Sequence, residues 1–156
     1  MIAYFDTSAL IPLLIEEAGS ERSGRVWDAA EHVTSARLIY AEARAALAQA
    51  ARLGRVAADD LAVAIEELGS LYDQLDLLEV DDLLVRRAGE LAQRYALRGY
   101  DAVHLAAAER VQTGTTVMVA GDGDLCAAAV GIGLAVARTH GESGCVQRPD
   151  PPGCCR

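Results

Sequence analysis

Thr116-Val-Met-Val-Ala120-Gly-Asp122-Gly-Asp124-Leu125 decides how the fold is read. A short apolar run bounded by a glycine turn reads as a buried strand, and this one is the best strand in the chain. A helical run over 123–130 follows it, and Leu134 to Ala137 reads as a further strand. Met1-Ile-Ala-Tyr-Phe5-Asp6 has the same shape at the other end: a buried strand over 2–5 closed by an acid. A helical turn from Thr7 to about Glu16 comes next, with Pro12 near its start, where proline is tolerated. Gly19-Ser20 opens a helix over about 20–31, and His32-Val-Thr34 is a short strand. Ser35 is placed to cap a helix running from about 36 to Leu53, with Gly54 as its stop. Residues 57–72 form an amphipathic helix with Asp59 and Asp60 near its start. Leu75 to Val80 is a third strand, Asp81 caps a helix to about Leu97 that Gly99 ends, and Asp101 opens a helix to about Thr113. Strands alternating with helices imply βαβ units. The expected fold is therefore α/β, a three-layer α/β/α sandwich around a parallel sheet of four to five strands.

Four carboxylates stand at special places on that frame. Asp6 and Asp122 follow strands, Glu42 lies inside an Ala-rich helical stretch, and Asp101 begins Asp101-Ala-Val-His-Leu-Ala-Ala-Ala108. In a parallel sheet such positions gather at the carboxyl edge of the strands, where ligands bind. Like charges brought together repel, and a divalent cation neutralises them. The pattern points to metal-assisted chemistry on phosphate. Each acid alone also has a plainer reading. Asp6 and Asp101 suit helix caps, Glu42 suits a solvated helix face beside an Arg, and Asp122 suits a turn. Their joint placement favours a site.

The chain has 156 residues, enough for one domain with one sizeable core. Aromatic residues make up only 4%, so the core is aliphatic. The net charge of −9 argues against non-specific binding to nucleic acid, because phosphate repels it. A bound cation and a local Arg surface reconcile that charge with a phosphate substrate. All 14 basic residues are Arg, which excludes any mechanism that needs a catalytic lysine. The start has no basic region, its apolar run is broken by Asp6, and no apolar stretch reaches the roughly 18 residues of a membrane span. A cytoplasmic protein is expected, without membrane contact. From Thr139 onward, Gly, Ser, Pro and Cys accumulate, so 1–138 is the expected domain and 139–156 a flexible tail. The spacing of His140, Cys145, Cys154 and Cys155 matches no standard zinc pattern.

Four local sequences resemble, in order, the motifs of the PIN-domain family. They are Tyr4-Phe-Asp6-Thr-Ser8-Ala-Leu10, Ser35-Ala-Arg37-Leu-Ile-Tyr-Ala-Glu42-Ala-Arg44, Leu97-Arg98-Gly-Tyr100-Asp101-Ala-Val-His104-Leu-Ala106 and Val119-Ala-Gly-Asp122-Gly-Asp124-Leu125. The nearest branch is the VapC-type toxins of toxin–antitoxin pairs, and the match runs over about residues 2–137. The resemblance implies an endoribonuclease that uses Mg2+ or Mn2+, an antitoxin partner and a homodimer. It makes Asp6 and Asp101 the leading metal ligands, with Glu42 completing the shell and Asp122 supporting it. Asp124 is a weaker ligand candidate, and Ser8 is the hydroxyl beside the first Asp. Arg37, Arg44, Arg98 and Tyr100 are candidates for substrate contact. His104 is expected to pack on an apolar helix face, since the family does not use it as a ligand. One departure is Ala120, where many members carry Ser or Thr before the fourth acid.

Other classes fit less well. A haloacid-dehalogenase phosphatase needs a second Asp two residues after the first, where Ser8 stands, and a lysine. A receiver domain fails on the same missing lysine. A PIN domain that has lost catalysis and only binds antitoxin or RNA is the alternative, weakly favoured by Ala120 and opposed by the intact acids.

Overall fold

The computed structural model describes residues 1–140. Five strands form one sheet: β1 (Ile2–Phe5), β2 (His32–Ala36), β3 (Asp76–Leu78), β4 (Thr116–Ala120) and β5 (Ala135–Arg138). All pair in parallel, in the order β3-β2-β1-β4-β5. The chain therefore builds outward from β1 to one side, then crosses to β4 and builds to the other. The point where the order reverses lies between β1 and β4, the place where open α/β sheets bind ligands.

The helices are α1 (Thr7–Leu10), α2 (Ser20–Ala29), α3 (Ile39–Arg52), α4 (Ala58–Tyr72), α5 (Asp82–Tyr95), α6 (Gly99–Arg110) and α7 (Gly123–Gly131), with a 3-10 turn at Ile11–Leu13. Side chains alternate across a strand, so each strand feeds both faces. Tyr4, Met118 and Val136 pack with Leu91, Leu105 and Leu125 of α5, α6 and α7. Ala3, Phe5, Val117 and Val119 pack on the opposite face beside Trp27, and Leu10, Ile39, Leu47 and Leu68 extend that side. The result is the expected three-layer sandwich with a parallel sheet.

Several boundaries differ from the sequence expectation. Ser35 does not cap α3. It lies in β2, and its hydroxyl donates to the Phe5 carbonyl at 2.7 Å. Helix α3 starts at Ile39, with no side-chain cap at Leu38. Gly99 does not end α5 but opens α6; the left-handed end of α5 is Ala96, at φ 53°. Asp101 consequently stands in the first turn of α6 rather than at its cap. The third strand is shorter than Leu75 to Val80 and covers Asp76–Leu78. Thr139 is buried, and its N–H donates to the Ala120 carbonyl at 3.0 Å. The rest of the expected tail, 141–156, and the three cysteines within it lie outside the described residues. No helix among the described residues is long and apolar enough to cross a membrane.

Candidate active site

The carboxyl ends of β1 and β4 open into a cleft of about 650 Å³. Asp6, Glu42, Asp101 and Asp122 all line it. Asp6 follows β1 and caps α1, accepting from the Ser8 N–H at 2.9 Å. The Ser8 hydroxyl donates to the same oxygen, Oδ2, at 2.5 Å, and accepts from the Gly121 N–H at 2.8 Å. Ser8 thus ties the end of β1 to the end of β4. Gly121 fits because a Cβ there would fall 2.5 Å from His140 Nδ1. Asp122 caps α7, its Oδ1 accepting from the N–H groups of Asp124 and Leu125 at 3.0 and 2.9 Å. The plainer reading of Asp6 as a cap is therefore true, Asp122 is a helix cap where a turn residue was expected, and both still line the cleft.

Glu42 reaches the cleft from α3. Its Oε2 accepts from the Thr7 hydroxyl at 2.6 Å and lies 3.1 Å from His104 Nε2. Its Oε1 is buried and has no hydrogen-bond partner. Leaving a buried acceptor unpaired costs about 1–3 kcal/mol, and more for a charged group. Burial pushes the Glu42 carboxyl up, but the His104 hydrogen bond and charge, with the Thr7 hydroxyl, outweigh it and hold the group below its ordinary value.

His104 corrects the sequence expectation of a partly buried packing residue. It is fully buried, and both ring nitrogens have polar partners: Glu42 at Nε2, and the Tyr4 hydroxyl at 2.9 Å from Nδ1. Its Nε2 also stands 3.8 Å from Asp6 Oδ1. Burial lowers its basicity, yet the Glu42 hydrogen bond and the charges of Asp6, Glu42 and Asp101 raise it above the ordinary imidazole value.

The other wall is different. Arg98 donates from Nε to Asp101 Oδ2 at 2.9 Å and approaches Asp122 Oδ2 at 3.6 Å. Its side chain is 78% exposed. Burial raises the Asp101 carboxyl above its ordinary value, Arg98 opposes this, and the charges of Asp6 and Asp122 add to it. Three of the acids therefore sense one another through the cleft.

Among the described residues, no three His, Cys, Asp and Glu side chains converge as a ready metal cage. The acids form an open arc that Arg98 partly closes. The donor set nevertheless fits a hard cation, which takes carboxylate oxygens and keeps several waters. The unpartnered Glu42 Oε1 is the donor that such a cation would satisfy.

Not every candidate reaches the cleft. Tyr100 lines it and is 66% exposed. Asp124 sits in the first turn of α7 and is not part of the lining. Arg44 stacks on Tyr40, and Arg37 pairs with Glu79, both away from it. Arg52 and Arg55 line it instead. Arg52 closes α3, the helix that carries Glu42, and Arg55 follows in the turn after it. Thr7 was also missed, although its place beside Asp6 was the available signal.

A parallel sheet whose switch point carries an arc of carboxylates defines an α/β domain with an acidic cleft. The PIN-domain profile matches residues 3–131, and the chain belongs to the PIN-domain family. Ribonuclease VapC45 of Mycobacterium tuberculosis is 41% identical over 107 residues, which are 69% of this chain and 74% of that protein. Among solved structures, PAE2754 from Pyrobaculum aerophilum is similar at a TM-score of 0.62 and 27% identity, over 82% of this chain and 79% of that one. VapBC-5 from Mycobacterium tuberculosis, a member of the VapBC family of toxin–antitoxin systems, gives a TM-score of 0.58 at 22% identity, over 88% and 98%. At that identity the second structure speaks for the fold alone.

Proposed function

We propose that this chain is an endoribonuclease dependent on Mg2+ or Mn2+, and the toxin of a toxin–antitoxin pair. The observation that carries the metal is Glu42, which lines an acidic cleft and has one carboxylate oxygen, Oε1, buried without a partner. The 41% identity to a ribonuclease supports RNA as the substrate.

When bound, a divalent cation supplies a more acidic water and offsets charge on the attacked phosphate. Asp6 and Asp101 would hold it, with Glu42 contributing Oε1 and Asp122 supporting from the α7 cap. Asp124 has at most an outer role. Ser8 keeps one Asp6 oxygen engaged, so the other is left for the cleft. Arg52, Arg55 and Arg98 line the same cleft and suit the phosphates of an incoming strand, which an acidic chain otherwise repels. The exposed ring of Tyr100 offers a face on which a base can stack.

A second hollow of about 900 Å³ adjoins the cleft, sharing Ile15, Glu17, Arg55 and His140 with it. Its apolar floor includes Leu14, Val56 and Val63, and its rim includes Glu16, Asp60 and Glu67. That combination suits a basic amphipathic segment of an antitoxin. The exposed Val85 of α5 and Tyr100 of α6 line one apolar hollow with Leu38, Val80 and Val103, which suits a homodimer. Sedimentation of wild type against Val85→Glu tests that assembly: a wild-type dimer that the variant loses is expected, and a wild-type monomer would remove it.

The test of function is incubation of the antitoxin-free protein with end-labelled cellular RNA, with Mg2+, Mn2+ or chelator, beside Asp6→Asn. Discrete cleavage that needs metal and vanishes in the variant is expected. RNA left intact by both proteins would overturn the proposal and leave a binding-only domain.

A further inference from the structure

The geometry points to His104 as a positioning residue: anchored by Tyr4, it holds Glu42 by Oε2 and so keeps Oε1 presented to the cation. The inference rests on the reading of Glu42 as a cation ligand.

The chain of contacts starts in the backbone. The Ala36 N–H donates to the Tyr4 hydroxyl at 3.1 Å, and that hydroxyl lies 2.9 Å from His104 Nδ1. Tyr4 and His104 are both fully buried and meet edge to face, with centroids 5.9 Å apart. Neither ring can turn without emptying a packed site. Nε2 then lies 3.1 Å from Glu42 Oε2.

The direction of the hydrogen bonds follows from the partners. An ionised carboxylate only accepts, so Nε2 carries a proton whether the ring is neutral or charged. In the neutral ring, Nδ1 accepts from the Tyr4 hydroxyl, which is free to donate because it accepts from Ala36. The Thr7 hydroxyl donates to Glu42 Oε2 as well, at 2.6 Å. Both donors therefore converge on one oxygen of the carboxylate, and the other is left buried without a partner. A carboxylate held in that way has one rotamer and one free oxygen. His104 fixes the ligand through Nε2–H. Outer partners of this kind are worth about 10–100-fold in metal affinity. The fully buried Tyr4 belongs to the same device, one step further back.

The probe is Mn2+ alone, titrated into the full chain by calorimetry, with circular dichroism confirming the fold of each variant. His104→Gln keeps an N–H donor near the Nε2 position, whereas His104→Asn does not reach it. Mn2+ affinity should fall about 10–100-fold in His104→Asn and stay within about threefold of wild type in His104→Gln. In a Glu42→Gln background, His104→Asn should add little further loss, because both changes remove the same ligand. Unchanged affinity in His104→Asn, an equal loss in His104→Gln, or fully additive losses would overturn the positioning role. Unchanged affinity in Glu42→Gln alone would instead overturn the metal reading beneath it, so the two failures are distinguishable. The wild-type chain supplies a readout that needs no variant: long-range 1H–15N spectra of the His104 ring. A proton on Nε2 is expected, and a bare Nε2 facing Glu42 would overturn the inference.

Discussion

The two walls of the cleft hold their acids by different means. On the α1–α3 wall, Asp6 and Glu42 are gripped from inside the fold, by Ser8, Thr7 and the buried His104. On the α6–α7 wall, Asp101 and Asp122 share Arg98, a side chain 78% exposed to water. The first arrangement excludes water and leaves one oxygen free. The second is an ion-pair arrangement that solvent screens and that a stronger cation can displace. Under the proposed function, the fixed wall would set ligand geometry, and the adjustable wall would hold its acids paired until a cation or RNA arrives.

Substitution of the acids should have the largest effect. Asp6→Asn and Asp101→Asn are each expected to lower RNA cleavage on the order of 10²–10⁴-fold, measured as kcat on a defined RNA. Comparable residual activity in both variants would show that the walls serve one centre. Full activity in either would break the account of that wall.

The fixed wall can be loosened without touching an acid. Ser8→Ala removes the hydroxyl that joins Asp6 to the Gly121 N–H, and should cost about 1–3 kcal/mol in urea unfolding. A loss near zero would mean that the tie is not part of the scaffold.

The adjustable wall predicts the opposite sign. Arg98→Gln frees Asp101 and Asp122, so Mn2+ should bind about two- to fivefold more tightly, while RNA affinity falls. Weaker Mn2+ binding in this variant would contradict the view of Arg98 as a displaceable stand-in cation.

The smallest effect concerns the support behind that wall. Asp81 caps α5 and pairs with Arg110 of α6, at 2.8 and 2.9 Å. The Arg110 hydrogen bond is the main cause that holds the Asp81 carboxyl down at about 2. A depressed carboxylate contributes stability above its ordinary value of about 3.9, and that contribution is lost as pH falls through the folded value. The difference in Tm between wild type and Asp81→Asn should therefore be constant near neutrality and shrink from about pH 5 to about pH 2. A difference that grew on acidification would contradict the assignment.

Much of this was legible before the structure. The apolar runs before Asp6 and Asp122 are short and sharply bounded, so strand and acid could be read together. Other features were hidden for physical reasons. Ser35 carries the chemistry of a cap, but burial beside β1 places it in β2, where its hydroxyl serves the Phe5 carbonyl. Ala96 ends α5 in a conformation usually left to glycine, so Gly99 was read as the stop. The role of His104 depends on contacts with residues 100 and 62 positions away, to Tyr4 and Glu42. One signal was present: α6 buries Ala102, Leu105, Ala106, Ala107 and Ala108 around it, and a buried polar group in such company requires partners. The Arg pair at the cleft was missed because Arg37 and Arg44 lie closer to the motifs in sequence, whereas Arg52 and Arg55 lie closer in space.

The central claim is that the two walls close on one divalent cation. A crystal of the chain soaked in Mn2+ and measured at the manganese absorption edge tests it directly. The account predicts an anomalous peak in the cleft beside Asp6, Asp101 and Glu42 Oε1, with Arg98 turned away from Asp101. A cleft without a peak at saturating Mn2+, with Arg98 still bridging Asp101 and Asp122, would contradict it.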